Sequence, residues 1–204
     1  MMANDAYLFS DGYTNEIYTI SKYGIVKNDG SFDSINDAYQ LIGATPRGIF
    51  IADKYNKSIS VFDFNLNFMF KKKLNLDSNL DLVRVDKRNN DLYIFSKKDN
   101  IIFKTNINND YQNSFINLKR FEDLNSCIRD IIFDNDGKVS LLSCDGRMLN
   151  FSNLGKYNGL YRFNKPDIQF VIEIEKDWYG FDANGYGECF SNILSINLPG
   201  ITSQ

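Results

Sequence analysis

The sequence predicts an all-β chain, a small β-propeller of about five blades of antiparallel strands, on three observations. Short runs of β-branched and aromatic residues recur along it. They come in pairs, each separated by a polar segment rich in Asp, Asn, Gly and Lys, which is how a hairpin reads in sequence. The first run of each pair returns at intervals of roughly 40–47 residues, the length of a four-stranded blade.

In order, the pairs are Ala6–Ser10 with Glu16–Ile20, Gly48–Ala52 with Ser58–Phe62, Leu92–Ser96 with Ile101–Thr105, Val139–Ser143 with Arg147–Phe151, and Trp178–Asp182 with Gly187–Ser191. A strand precedes the later pairs at Leu82–Asp86, Ile131–Asp134 and Phe170–Ile174. Asp136-Gly137 and Asp145-Gly146 lie between apolar runs, where tight hairpins need residues that tolerate positive φ. Fourth strands are expected at Asn67–Leu74, Phe115–Leu118, Leu160–Phe163 and Leu194–Leu198. Ser31–Gly43, with Asp33 as a cap, and Leu118–Cys127 fit a helical turn as well as a strand. Only five residues precede Ala6, so the first unit is expected to enter at its second strand. The deficit of about one strand is to be closed within a compact ring or, alternatively, by another chain. Length predicts a single domain over residues 1–204.

The best-defined unit is Ile49–Phe64, in which two apolar arms flank the polar segment Asp53–Lys57. It resembles the core of an NHL repeat, a β-propeller blade motif, through Ile51, Ala52, Asp53, Asn56, Ile59, Val61 and Phe62. The resemblance implies that Asp53 orders its loop through side-chain to backbone bonds, with Asp11 and Asp182 in comparable places. Some propeller enzymes resembling sugar lactonases hold calcium with inward-facing Glu, Asn and Asp, but no such ligand set can be deduced from spacing here.

Composition narrows the function. The content of apolar and aromatic residues, 17 Phe and 12 Tyr among them, is that of a folded protein. A net charge of −3 points to no nucleic-acid partner. Lys71–Lys73 and Lys97–Lys98 read as solvated or edge-strand lysines, with a phosphate-binding patch as the alternative. The first residues show no leader and no apolar run approaches the ~20 residues of a membrane span, so a soluble, cytoplasmic chain without a membrane partner is expected. Cys127, Cys144 and Cys189 are odd in number and far apart, which predicts neither a disulfide nor a zinc site.

With no histidine, Ser-His-Asp and Cys-His catalysis and His-based metal sites are excluded. No phosphate-binding loop or nucleophile elbow is present. The glycines from Gly180 to Gly187 sit between strands and read as a hairpin. Asp134-Asn135-Asp136-Gly137 reads as a turn, lacking the spread and terminal Glu of a calcium loop. Glu173 and Glu175 share one strand face and read as solvated rather than as an acid/base pair. Tyr13, Tyr55 and Tyr186 fall in predicted hairpin loops and Trp178 begins a strand. Together these aromatics are the candidate binding rim, against the alternative that each packs between blades. No catalytic residue, metal or cofactor is expected. The expected role is a non-enzymatic, protein-binding module in a larger assembly such as a phage tail or tail-like particle. A carbohydrate-binding propeller, or a calcium-dependent lactonase or lyase, are the alternatives.

Overall fold

The computed structural model describes residues 2–3, 6–10, 16–21, 26–31, 39–109, 112–121, 127–163, 167–174, 177–182, 184 and 187–190, with side chains at 40–109, 112–121, 127–163, 167–172, 178–182 and 184. These residues form antiparallel sheets and one 3-10 turn, so the all-β class holds. In chain order, β1 (Met2–Ala3), β2 (Ala6–Ser10), β3 (Glu16–Ser21) and β4 (Val26–Ser31) make the first sheet. The second contains β5 (Tyr39–Thr45), β6 (Gly48–Asp53), β7 (Ser58–Phe62) and β8 (Phe68–Lys73). The third contains β9 (Leu82–Val85), β10 (Asp91–Ser96), β11 (Ile101–Asn106) and β12 (Gln112–Asn117), followed by the 3-10 turn Leu118–Arg120. The fourth has β13 (Ile128–Phe133), β14 (Val139–Ser143), β15 (Arg147–Phe151) and β16 (Tyr157–Arg162). Three described strands form the last sheet, β17 (Phe170–Ile174), β18 (Asp177–Phe181) and β19 (Gly187–Phe190). Each sheet is a simple meander, strand following strand in sequence order.

Every predicted hairpin pair is present, but the first unit differs from expectation. It does not enter at its second strand: Met2 and Ala3 pair with Tyr7 and Ala6, supplying a short first strand. Two residues suffice because a ladder needs only backbone groups, which sequence patterning does not reveal. The ambiguous stretch before Gly43 is strand from Tyr39 onward, while the earlier part lies outside the described residues, as does the expected strand at Leu194–Leu198.

The chain divides into two compact units. The first is Met1–Asp99 with Phe103–Asn113, and the second is Asn100–Ile102 with Ser114–Gln204. In the first, β6 and β10 are buried along their whole length, which explains their near-continuous apolar sequences. One face of β6 and β7 (Phe50, Ala52, Ile59, Val61) packs with Val83, Val85, Leu92 and Ile94 from β9 and β10. Each of these side chains other than Ala52 contributes roughly 1.5–3 kcal/mol by leaving water. The other face carries Ile49 and Ile51 against Leu41, Phe62, Phe64 and Leu66. In the second unit, Leu142, Met148, Phe163, Ile168, Val171 and Trp178 form one core.

The expectation that no cysteines pair is overturned: Cys127 and Cys144 form a disulfide with their Cα atoms 5.5 Å apart. Their 17-residue separation conceals the pairing, which follows from register. Ile128 lies opposite Ser143, so the flanking cysteines extend the same ladder. The Cys144 N–H donates to the Cys127 carbonyl at 3.0 Å. Disulfides persist in oxidising surroundings, which does not go with the expected cytoplasmic location.

Two stability measurements follow from this fold. Gly48 enters β6 at φ +138°, where a Cβ would stand 2.2 Å from the Phe62 carbonyl oxygen. Gly48→Ala is therefore expected to cost about 1–3 kcal/mol, read as a lower urea midpoint. Replacing Cys127 and Cys144 together by Ser is expected to cost about 2–4 kcal/mol in oxidising buffer. A reductant should lower the wild-type midpoint to match and leave the double variant unmoved.

Candidate functional site

The polar hairpins share one local device. At the β6–β7 turn the buried Asp53 carboxylate accepts from the Asn56 N–H at 2.9 Å and from Asn56 Nδ2 at 2.8 Å. Lys57 then takes a positive φ of 49°. At β10–β11, Asp99 accepts from Ser96 Oγ at 2.8 Å and from Ser78 Oγ, and Asn100 follows at φ 55°. At β14–β15, Asp145 accepts from Ser143 Oγ and from Arg147 Nε at 2.7 Å, with Gly146 at φ 76°. Asp182 accepts from the Asn184 N–H at 2.8 Å. These carboxylates are turn-formers, as the Asp53 resemblance implies; Asp11 lies outside the described residues.

The other acidic candidates are also engaged structurally. Asp134 accepts from the Lys138 N–H at 2.8 Å, closing the β13–β14 hairpin with Gly137 at φ 87°. In the third sheet, Asp91 takes Lys104 Nζ at 2.9 Å and Asn106 Nδ2 at 2.6 Å, while Lys104 stands 5.2 Å from the Tyr93 ring centroid. Burial raises the Tyr93 hydroxyl above its ordinary value. Among the described residues no group of three or more His, Cys, Asp or Glu is placed to hold a metal. The Glu173 side chain and Glu175 lie outside the described residues.

Of the rim aromatics, Tyr55 stands at the tip of the β6–β7 hairpin with 72% of its surface exposed. Trp178 takes the packing alternative: it is 8% exposed, inside the second unit's core. Tyr13 and Tyr186 lie outside the described residues. Sequence reading overlooked a larger feature on β8, at the end of the strand away from Tyr55. Phe68, Met69 and Phe70, consecutive on β8, are 59%, 51% and 40% exposed. β8 is the outermost strand of its sheet, and all its residues are exposed except the half-buried Lys72. The signal was present as Phe-Met-Phe before three lysines, but the lysines alone were read.

Register orders this strip. Phe68 lies opposite Phe62, their rings meeting edge-on at 5.7 Å, and Phe70 lies opposite Val61, with a bulge between them. Lys71, Lys72 and Lys73 follow opposite Ser60, Ile59 and Ser58, leading to the hairpin that carries Tyr55. Lys71 Nζ reaches Asp53 at 3.4 Å. Lys72 Nζ donates to the carbonyls of Asn106, at 3.3 Å, and Asn109. Lys73 is exposed. The strip is thus apolar at one end and cationic at the other. Its geometry suits contact with an extended surface.

No protein-family model matches the sequence, and no curated protein matches it. Solved structures do share its fold. Virginiamycin B lyase from Staphylococcus aureus, in a catalytically inactive form with quinupristin, aligns at TM-score 0.63 and 15% identity over 93% of this chain and 68% of that one. A chain of a nidogen/laminin complex aligns at TM-score 0.67 and 15% identity, over 89% and 69%. The computationally designed Ika8 protein aligns at TM-score 0.54 and 16% identity, over 90% and 57%. At these identities the likeness shows the fold, a β-propeller.

The Asp53 turn has a pH signature. Burial pushes its carboxyl upward, but hydrogen bonds from the Asn56 backbone and side chain, and the Lys71 ammonium, outweigh this and hold it below its ordinary 3.8. A depressed folded value contributes stability that is complete above the unfolded value and lost as pH falls through the folded one. Asp53→Ala is expected to cost about 1–3 kcal/mol at pH 7. In urea titrations the gap between variant and wild type should close as the buffer is taken below the ordinary carboxylate range.

Proposed function

We propose that the chain is a non-enzymatic, NHL-like propeller module that binds a partner protein and is held within a larger assembly, of which a phage tail or tail-like particle is one form. The observation that carries this reading is the run Phe68–Met69–Phe70, three consecutive large apolar side chains exposed on an outermost strand, Phe68 on the Phe62 face and Phe70 on the Val61 face. Several large apolar side chains left in water on the two faces of one edge strand cost solubility unless something covers them, so the cluster marks an interaction surface where single exposed residues do not. Tyr55 adds a rigid aromatic near the cationic end, a residue type favoured at interface centres. A propeller of this fold occurs in a complex of nidogen with laminin, which supports protein binding as a use of the architecture. Carbohydrate binding, the second reading, would draw on Tyr55.

The test replaces Phe68, Met69 and Phe70 together by Ser. Each of the three still packs about half of its side chain, Phe68 against Phe62, so the variant should lose roughly 2–4 kcal/mol and is compared with wild type where both stay folded. In cross-linking from the native source, the partner joined to the wild type should be lost, and the wild type should sediment with a particle fraction that the variant leaves. An unchanged set of cross-links would show that this surface is not the binding one. Glycan binding that survives the triple change but fails in Tyr55→Ser would move the protein to the carbohydrate-binding class.

A further inference from the structure

We infer that the free edge of β8 receives an extended segment of a partner protein by strand addition, the segment running antiparallel with acidic residues first and apolar residues after. This rests on the protein-binding reading and specifies its mode and the chemistry of the partner.

Among the described strands, β8 ends its sheet, with β7 on its only paired side. Its other edge offers backbone N–H and C=O groups, a template for a further strand. The end strands β12 and β16 have the same topology but intersperse buried and exposed positions. β8 instead pairs a free edge with three exposed apolar side chains, and adds charge of one sign. Although the chain carries −3 overall, Lys71–Lys73 occupy the hairpin end of β8, where Lys71 Nζ lies 3.4 Å from Asp53 and Lys73 is exposed. An antiparallel segment starts opposite Lys73 and finishes opposite Phe68. Lys71 and Lys72 are already engaged by Asp53 and by the Asn106 and Asn109 carbonyls, so its first residues answer the exposed Lys73 and add to the partners of the other two, and its last residues cover Phe70 and Phe68. Antiparallel pairing is also slightly more stable per residue than parallel.

Edge lysines ordinarily protect a sheet from unwanted pairing. Here they cover only half the strand, so they select rather than forbid. A second copy of β8 fits poorly. Antiparallel, it would set lysines against phenylalanines and desolvate them without a counter-charge; parallel, it would set lysine against lysine.

The experiment titrates the full chain with capped, labelled peptides of sequence Glu-Thr-Glu-Val-Phe-Val and its reverse, reading fluorescence anisotropy and amide hydrogen exchange. The forward peptide should bind about tenfold more tightly than the reverse, a difference of about 1.4 kcal/mol. It should slow exchange across Phe68–Lys73, and its affinity should drop in Lys73→Glu and in Phe68→Ser. Methylating one alternate set of peptide nitrogens should abolish binding and methylating the other set should not, since a strand pairs through one edge only. Equal tolerance of both methylated peptides would overturn strand addition while leaving a side-chain docking surface. No peptide binding, with cross-linking still dependent on Phe68–Phe70, would likewise overturn only the mode and chemistry. Binding of phosphatidylserine vesicles through the same residues, with no peptide bound, would overturn both the inference and the protein-binding reading.

Discussion

In the first unit, β6 and β10 have no solvent side. Every side chain on these strands is buried, so the usual alternation of inward apolar and outward polar residues disappears from them. Polar chemistry is consequently displaced to two places, the hairpins and the outermost strands. The hairpins use it to make turns.

The turn carboxylates show how much structural work can be mistaken for chemistry. Asp53, Asp99, Asp145 and Asp182 all sit just after or near the end of a buried strand, and each accepts hydrogen bonds from its own turn or a nearby hydroxyl. The Asp53 oxygens take three donors, two from Asn56 and one from Lys71. The positive-φ position that follows is filled by Lys57, Asn100 or Gly146 in turn. Different residues thus close comparable loops, because the Asp bonds hold the backbone that a glycine would otherwise be needed to relax.

β8 differs from the strands beneath it because it is last. β6 has a paired strand on both sides; β8 has one on one side only. Phe68 still contacts Phe62, yet more than half of its surface remains in water. The same position makes the lysines useful. Lys71 and Lys72 reach inward to Asp53 and to backbone carbonyls, while Lys73 projects from the edge.

The sequence by itself determined the class, the strand pairs and the turns. Apolar runs, Asp-Gly and Asp-x-x-Asn are local signals, and a hairpin is a local structure whose register its own turn sets. The fourth strand at Phe68–Lys73 was legible for the same reason, as was the turn role of Asp53. Tertiary structure alone decided the rest. The two-residue strand Met2–Ala3 has no pattern to show, since it exists only as a ladder to β2. The Cys127–Cys144 bridge depends on β13 and β14 aligning so that their flanking residues meet. Trp178 and Phe68 are both aromatic residues at strand positions, yet one is core and one is surface. What separates them is how many layers lie beyond their strand, a quantity that neighbouring residues in the chain do not encode.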